Sequence, residues 1–258
     1  MLSFQILLSC MNEKDFSVLA NSNINSNTII VNQCNENGIE QIKDKVIMFN
    51  VAENGLSRSR NLAISKSNKD ICLLADDDEF FYDNLEEIIL NTYKNCPKAD
   101  IIIFEFENKR KNLSKNIRKL YFFEMLKISS VQISFKRNSI QEKNIKFDTL
   151  LGAGTGNGAG EENKFLIDCY KSGLKIYYAP IDIGYLRDDK ESTWFRGYNE
   201  DYFYKRGKAT RYYLGIFLAT IYGIYFILFK NKIYSDFITR KKAFLFLMKG
   251  IYATRLGS

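Results

Sequence analysis

Ile71-Cys72-Leu73-Leu74-Ala75-Asp76-Asp77-Asp78-Glu79 is an apolar run that ends abruptly in four carboxylates. A run without polar alternation suits a strand covered on both faces, as in a parallel sheet flanked by helices. In open α/β sheets, ligands sit at the carboxyl ends of strands. Three adjacent Asp at such an end repel one another unless a cation or a basic partner offsets them. Mg2+ and Mn2+ take hard oxygen ligands and commonly bridge one or two carboxylates to substrate phosphates. Alternate residues of an extended segment point the same way, so Asp76 and Asp78 are candidate ligands of one ion. The competing reading is a solvated acidic turn that caps the next helix.

Similar runs lie on both sides of this stretch. Phe4–Leu8, Thr28–Val31, Val46–Phe49 and Ile101–Phe104 read as buried strands. Helical patterns fall between them. Ser57 is a candidate cap for a helix that runs to about Ser67. Asp83 and Glu86 have capping-box spacing, and Leu85, Ile88, Ile89 and Tyr93 then share one face. Residues 1–109 therefore read as a nucleotide-binding half of alternating strands and helices. Lys109–Lys119 reads as a polar loop, and Ser130–Phe135 as a further strand. The Gly-rich stretch Gly152–Gly160 opens a helix with Phe165, Leu166 and Cys169 on one face, which Gly173 stops. Leu174–Tyr178 is a short strand.

Composition narrows the chemistry. The chain has 258 residues, and its 46% hydrophobic and 26% charged content is that of an ordinary globular protein. It contains no His, which excludes Ser-His-Asp triads, Cys-His dyads and His-ligated metals. Its five Cys lack metal-site spacing and are odd in number, as expected of a reducing compartment. Met1–Gln5 lacks a basic leader region, so a cytoplasmic location is expected. The net charge is +7. Much of it lies at Lys205–Arg211 and Lys230–Lys242, on either side of the uncharged run Tyr212–Phe229. That run is marginal for a span, which needs about 20 apolar residues. It reads as a helix lying on an anionic membrane surface, or else as a buried core helix. Nucleic acid is not an expected partner, because only net charge points to it.

Two further segments carry candidate chemistry. Glu161-Glu162 opens a helix, so either Glu can be a general base or a plain cap of the helix N-terminus. Arg58 and Arg60 stand at the start of another helix, against its dipole. They read as partners of an anion, a diphosphate or the Asp cluster, or as surface residues.

Taken in order, these segments resemble the family 2 glycosyltransferases of bacterial polysaccharide assembly. Ser59-Arg60-Asn61-Leu62-Ala63-Ile64 is similar to that family's Ala-Arg-Asn helix. Asp76-Asp77-Asp78 is similar to its Asp-x-Asp motif, and Gly160-Glu161-Glu162-Asn163 to its Gly-Glu-Asp/Glu motif. Gly173–Pro180 and Glu191-Ser192-Thr193-Trp194 look like later signatures. The resemblance implies a GT-A fold: a mixed, mostly parallel sheet with helices on both faces. Residues 1–204 would form the catalytic domain, with 110–204 its acceptor half. Residues 205–258 would form a helical, membrane-associating extension.

The resemblance also implies an activity. A sugar would pass, with inversion, from a nucleoside-diphosphate sugar, a UDP-sugar by preference, to a hydroxyl of a glycan or lipid-linked oligosaccharide. Mn2+ or Mg2+ would be held by Asp78 and Asp76, and Glu162, with Glu161 beside it, would be the base. Donor contacts would come from Ser9, Met11, Asn32, Gln33, Asn54, Arg60, Asp76, Asp77 and Arg187. The chain departs from the family where Asn32-Gln33-Cys34-Asn35 replaces Asp-Asp-Gly-Ser, leaving amides to read the base. It departs again where Tyr185-Leu186-Arg187 stands in a region that often holds a His, leaving Arg187 or Lys190 to neutralise phosphate. A metal-dependent nucleotidyltransferase would need a phosphate loop that Leu8–Asn12 lacks. A non-catalytic, membrane-associated nucleotide-sugar binder is the other alternative.

Overall fold

A computed structural model describes residues 2–42, 45–157, 160–187 and 197–253. The chain divides into two compact units, Met1–Phe147 with Phe165–Lys190, and Asp148–Lys164 with Glu191–Ser258.

The first unit is built on a nine-stranded sheet, counted among the described residues. Its elements in chain order are β1 (Phe4–Met11), α1 (Ser17–Asn21), β2 (Thr28–Gln33), β3 (Gly38–Ile42), β4 (Val46–Val51), α2 (Leu56–Lys66), β5 (Ile71–Asp76) and β6 (Glu79–Phe81). Then come α3 (Leu85–Asn95), β7 (Ile101–Glu105), β8 (Arg118–Lys119), β9 (Ile133–Lys136), α4 (Arg137–Glu142), α5 (Glu161–Lys171), β10 (Ile176–Asp182) and β11 (Gly184–Leu186). The first turn of α5, through Lys164, groups with the second unit. Strand order is β3-β4-β2-β1-β5-β9-β7-β10-β8, with β6 and β11 forming a separate antiparallel pair. β4, β2, β1 and β5 are mutually parallel, β7 pairs parallel with β10, and β3, β9 and β8 run antiparallel to their neighbours. This is the mixed, mostly parallel sheet that the sequence predicts.

The apolar runs are explained by burial on both faces. Ile71, Leu73 and Ala75 join one core cluster with Leu85, Ile89 and Tyr93 of α3. Cys72 and Leu74, one position out of phase, join the other with Ala63 and Ile64 of α2. Burial pushes the Cys72 thiol up to about 12, so it stays protonated. From β1 the chain builds outward through β2 to β4, then returns to place β5 on the other side of β1. The carboxyl ends of β1 and β5, where Ser9 sits opposite Asp76, are therefore a topological switch point.

Several local expectations are corrected. Ser57 lies inside the first turn of α2, whose N-cap is Gly55. No side chain caps α3: Asp83 accepts from Asn23 and Glu86 from Ser26. Ser130–Gln132 is a 3-10 turn, and the strand starts at Ile133. The β3 edge strand carries no apolar run because it is polar and exposed, with Ile39 at 70%. The polar loop after β7 is anchored at its start, where the buried Glu105 accepts from the N–H groups of Lys111 and Asn112 and from the Tyr178 hydroxyl.

The second unit contains α6 (Glu200–Phe229) and α7 (Arg240–Tyr252). α6 is two helices, because Gly215 breaks it with φ +77. The Phe203 and Phe226 rings lie 6.3 Å apart, and Arg206 donates to the Tyr222 hydroxyl at 2.8 Å. Sixteen residues of straight helix would separate the latter pair by about 24 Å, so the chain doubles back at Gly215. Residues 200–214, residues 216–229 and α7 thus form a three-helix bundle around Phe203, Phe226, Tyr234 and Leu247.

α7 approaches the first half of α6 closely. A Cβ at Gly207 would stand 2.2 Å from the Leu247 carbonyl oxygen, and one at Gly250 2.0 Å from that of Tyr204. Both obstacles are backbone, so a side chain must push the helices apart. Gly207→Ala is expected to cost about 1–3 kcal/mol, read as a lowered Tm. Gly38→Ala, where a Cβ meets nothing within 4 Å, should change stability by less than about 0.5 kcal/mol.

Candidate active site

The centre of the site in the first unit is an ion pair. Arg60 projects from α2 with 1% exposure, and its Nη2 lies 3.0 Å from each carboxylate oxygen of Asp76, at the last residue of β5. The same nitrogen donates to the Ser130 hydroxyl at 2.8 Å, and the guanidinium sits 5.5 Å from the centre of the Phe147 ring. Asn61, the next residue, clasps Phe147 by accepting from its N–H and donating to its carbonyl, both at 2.8 Å. The two Arg of the α2 start therefore differ. Arg60 is the anion partner, whereas Arg58 is half exposed and pairs with the exposed Glu53.

Arg187 braces the Asp cluster from the other side. β11 pairs with β6 and carries Arg187 to the turn that follows β5. Its backbone N–H donates to the Asp78 carbonyl at 2.8 Å, and its Nη2 to the Asp77 carbonyl at 2.6 Å. Asp76, Asp77 and Asp78 are all partly exposed. They thus lie between two arginines, one holding a carboxylate and one holding backbone.

Glu79 is the residue whose place the sequence did not reveal. It follows the three Asp in sequence, but alternation along β6 turns it inward, and it is 0% exposed. Its Oε1 accepts from the Asp76 N–H at 3.1 Å, and its Oε2 has no hydrogen-bond partner among the described residues. Burial first, then the charges of Asp76 and Asp78, push its pKa well above 4.5. Both effects favour its protonated form, the cheaper one for a fourth carboxyl in this place.

The other expected donor contacts lie along the carboxyl ends of the parallel strands. Ser9 is buried and accepts from the Ser59 hydroxyl at 2.8 Å, tying β1 to α2. Met11 ends β1 at 50% exposure. Asn32 bonds both backbone groups of Glu13 and the Asn50 side chain. Gln33 accepts from the Gly55 N–H at 2.6 Å, and Asn54 is exposed beside it. Asn32 and Gln33 thus spend amide groups on holding loops.

Among the described residues, no three or more His, Cys, Asp or Glu gather as a metal cage. The donor set instead fits a hard divalent ion held by one or two carboxylates and completed by phosphate. Asp76 would join it only while still bound to Arg60.

Glu161 and Glu162 stand in the first turn of α5, grouped with the second unit. Glu161 is 5% exposed and accepts from the Gly160 N–H at 3.0 Å, which is the capping role. Glu162 is partly exposed, and its charge helps raise the pKa of the buried Tyr213, behind burial and Tyr222. Lys190 and the Glu191–Trp194 signature lie outside the described residues.

The sequence matches the family model "Glycosyl transferase family 2" over residues 16–155. No curated protein sequence matches the chain. Among solved structures, residues 1–349 of S. aureus TarS in complex with UDP-GlcNAc superpose with a TM-score of 0.60 at 12% identity, covering 97% of this chain and 72% of that one. The same TarS segment in complex with UDP gives a TM-score of 0.59 at 12% identity, covering 93% and 77%. A longer TarS chain gives 0.57 at 13% identity and is covered over 44% of its length. Likeness at this identity shows a shared GT-A fold.

Two measurements check the site's electrostatics. Arg60→Met should destabilise the protein by about 2–5 kcal/mol in urea unfolding, the cost of stranding a partly buried carboxylate, whereas Arg58→Met should cost less than about 1 kcal/mol. The second concerns Glu79. Its folded pKa lies above its unfolded value, so the native state binds the extra proton, and stability falls as pH rises above 4.5. In metal-free protein, Glu79→Gln should remove that fall, so the variant gains on the wild type from pH 4 to pH 8. An unchanged difference across that range would show Glu79 to be ionised in the native state.

Proposed function

Because the chain belongs to glycosyl transferase family 2, we propose that it moves a sugar from a nucleoside-diphosphate sugar, preferably a UDP-sugar, to a hydroxyl of a glycan or lipid-linked oligosaccharide. The observation that carries this reading is the Asp76–Asp78 turn at the β1/β5 switch point, held between Arg60 and Arg187. A carboxylate turn buttressed by cations at the carboxyl end of parallel strands suits a ligand whose charge lies in phosphates. TarS, whose fold this chain shares, was solved with UDP-GlcNAc and with UDP. That supports UDP as the nucleotide here.

Each residue then has a task. Ser9, Met11, Asn32, Gln33 and Asn54 lie near the nucleotide, while Arg60 fixes Asp76. Asp78, with Asp76 beside it, would hold Mn2+ or Mg2+. Such an ion would offset the negative charge of the leaving diphosphate. Arg187 adds fixed positive charge next to the same turn, which favours the developing diphosphate over the intact donor. Glu162 takes the proton from the acceptor hydroxyl as its oxygen attacks the anomeric carbon. The bond to the diphosphate breaks as the new bond forms, so configuration inverts. Glu161, engaged by the Gly160 N–H, holds the start of α5 in place rather than moving a proton. We place the enzyme in the cytoplasm, peripheral to the inner face of the cell membrane, where lipid-linked acceptors are found.

A melting-temperature screen of nucleotide-sugars with and without Mn2+ identifies the donor, since a ligand that binds only the folded state raises Tm. Asp78→Ala should abolish both transfer and the Mn2+-dependent part of that rise. Glu162→Gln should abolish transfer and keep the rise. Full activity in either variant sinks the role given to that residue, and release of pyrophosphate instead of UDP sinks the reaction itself.

A further inference from the structure

Among the described residues, the bundle of the second unit has an exposed apolar face. In residues 216–229, Ala219, Gly223, Phe226 and Ile227 are buried, Gly223 against Leu247, Met248 and Ile251 of α7. That is the ordinary core-facing stripe. The opposite stripe should be polar in a helix bathed in water. Here it is Phe217, Ile221, Ile224 and Leu228, at 73%, 48%, 42% and 52% exposure, with Phe229 at 71% beside it. Phe237, at 67%, continues the exposed apolar surface in the segment before α7. A helix apolar all round belongs in a protein core or in lipid, and this one has a core on only one side.

Charge identifies what covers the other side. Residues 202–258 hold eleven Lys and Arg against a single acid, Asp236, whereas residues 1–201 hold 26 basic and 29 acidic residues. The chain's net positive charge therefore resides wholly in this segment. Lys230 and Lys232 follow the exposed helix directly, and Arg240, Lys241 and Lys242 fill the first turn of α7. Lys242 pairs with Glu200 at 3.3 Å; cations at a helix N-terminus oppose its dipole, so Arg240 and Lys241 gain from an outside anion. A second copy of the chain would bring two such basic rims together. An anionic leaflet instead offers both a hydrocarbon edge and opposite charge, and each surface-bound Lys or Arg gains from it.

Geometry decides how the bundle meets the lipid. Taken whole, α6 is long and apolar enough to cross a membrane, with a mean hydropathy of 1.8 over its best window and only 28% of that window buried. The reversal at Gly215 removes that option. Residues 216–229 reach about 21 Å, against a hydrocarbon thickness of about 30 Å. We propose that residues 216–229, together with the Phe237 segment and the first turn of α7, form a monotopic docking face that lies in the interface of an anionic bilayer leaflet without crossing it. The proposal builds on the membrane location given above, and its binding readout does not depend on sugar transfer.

Vesicle flotation supplies that test. The full-length protein should float with vesicles of phosphatidylcholine containing one third phosphatidylserine, and remain at the bottom with phosphatidylcholine alone. Phe217→Ser/Phe229→Ser, and separately Arg240→Glu/Lys241→Glu, should each lower the partition coefficient more than about tenfold. Transfer to a water-soluble acceptor should stay at the wild-type rate in both, which separates this surface from the reaction. Because variants can misfold, a Phe217→Trp protein gives a second readout: its emission should shift to the blue with anionic vesicles and be quenched by lipids brominated near the headgroup. Wild-type protein that fails to float, or variants that float as well as it does, would overturn the proposal. So would a stable dimer that Phe217→Ser/Phe229→Ser converts to monomer, since that face would then be a protein interface.

Discussion

The Arg60–Asp76 pair is the constraint around which the first unit is arranged. A guanidinium with 1% exposure needs a counter-charge, and the one supplied is the last residue of the central strand β5. That pairing fixes the end of β5 relative to α2, and α2 is joined to β1 through Ser59 and Ser9. Three elements therefore converge on one point at the switch of strand order. The strand end must carry an acid for the Arg to be buried, and the Arg must be buried for the helix to pack. Neither residue can be altered for the benefit of a substrate without loosening the fold.

The same pair explains how four consecutive acids coexist. Asp76 is paired with Arg60, burial favours the protonated form of Glu79, and Asp77 and Asp78 keep partial access to solvent. Arg187 holds the turn by the carbonyls of Asp77 and Asp78. The backbone of the turn is thus fixed in position while its side chains keep access to solvent.

Much of this was legible in the sequence, for identifiable reasons. Strands buried on both faces leave uninterrupted apolar runs, which mark β1, β2, β4, β5 and β7 directly. The β3 edge was invisible because an exposed strand gains nothing from apolar residues. Arg58 and Arg60 look alike in one dimension, and only burial separates a surface ion pair from a structural one. Glu79 looked like a fourth member of an acidic run, because the turn that reverses its direction leaves no mark in composition. Gly160-Glu161-Glu162 reads equally as cap or base; in the structure Glu161 accepts from the Gly160 N–H while Glu162 is partly exposed. The long apolar stretch near the C-terminus reads as one helix, since neither of its two glycines, Gly215 and Gly223, is an obstacle to helical periodicity.

The first of these glycines sets the topology of the whole C-terminal segment. With Gly215 at φ +77, the chain makes a hairpin. A residue confined to negative φ would favour a continuous helix of thirty residues, about 45 Å long, with its uncharged half outermost. One codon thus separates a compact hairpin from a single helix long enough to cross a bilayer. Such a change would leave the strand ends and the acidic turn of the first unit as they are.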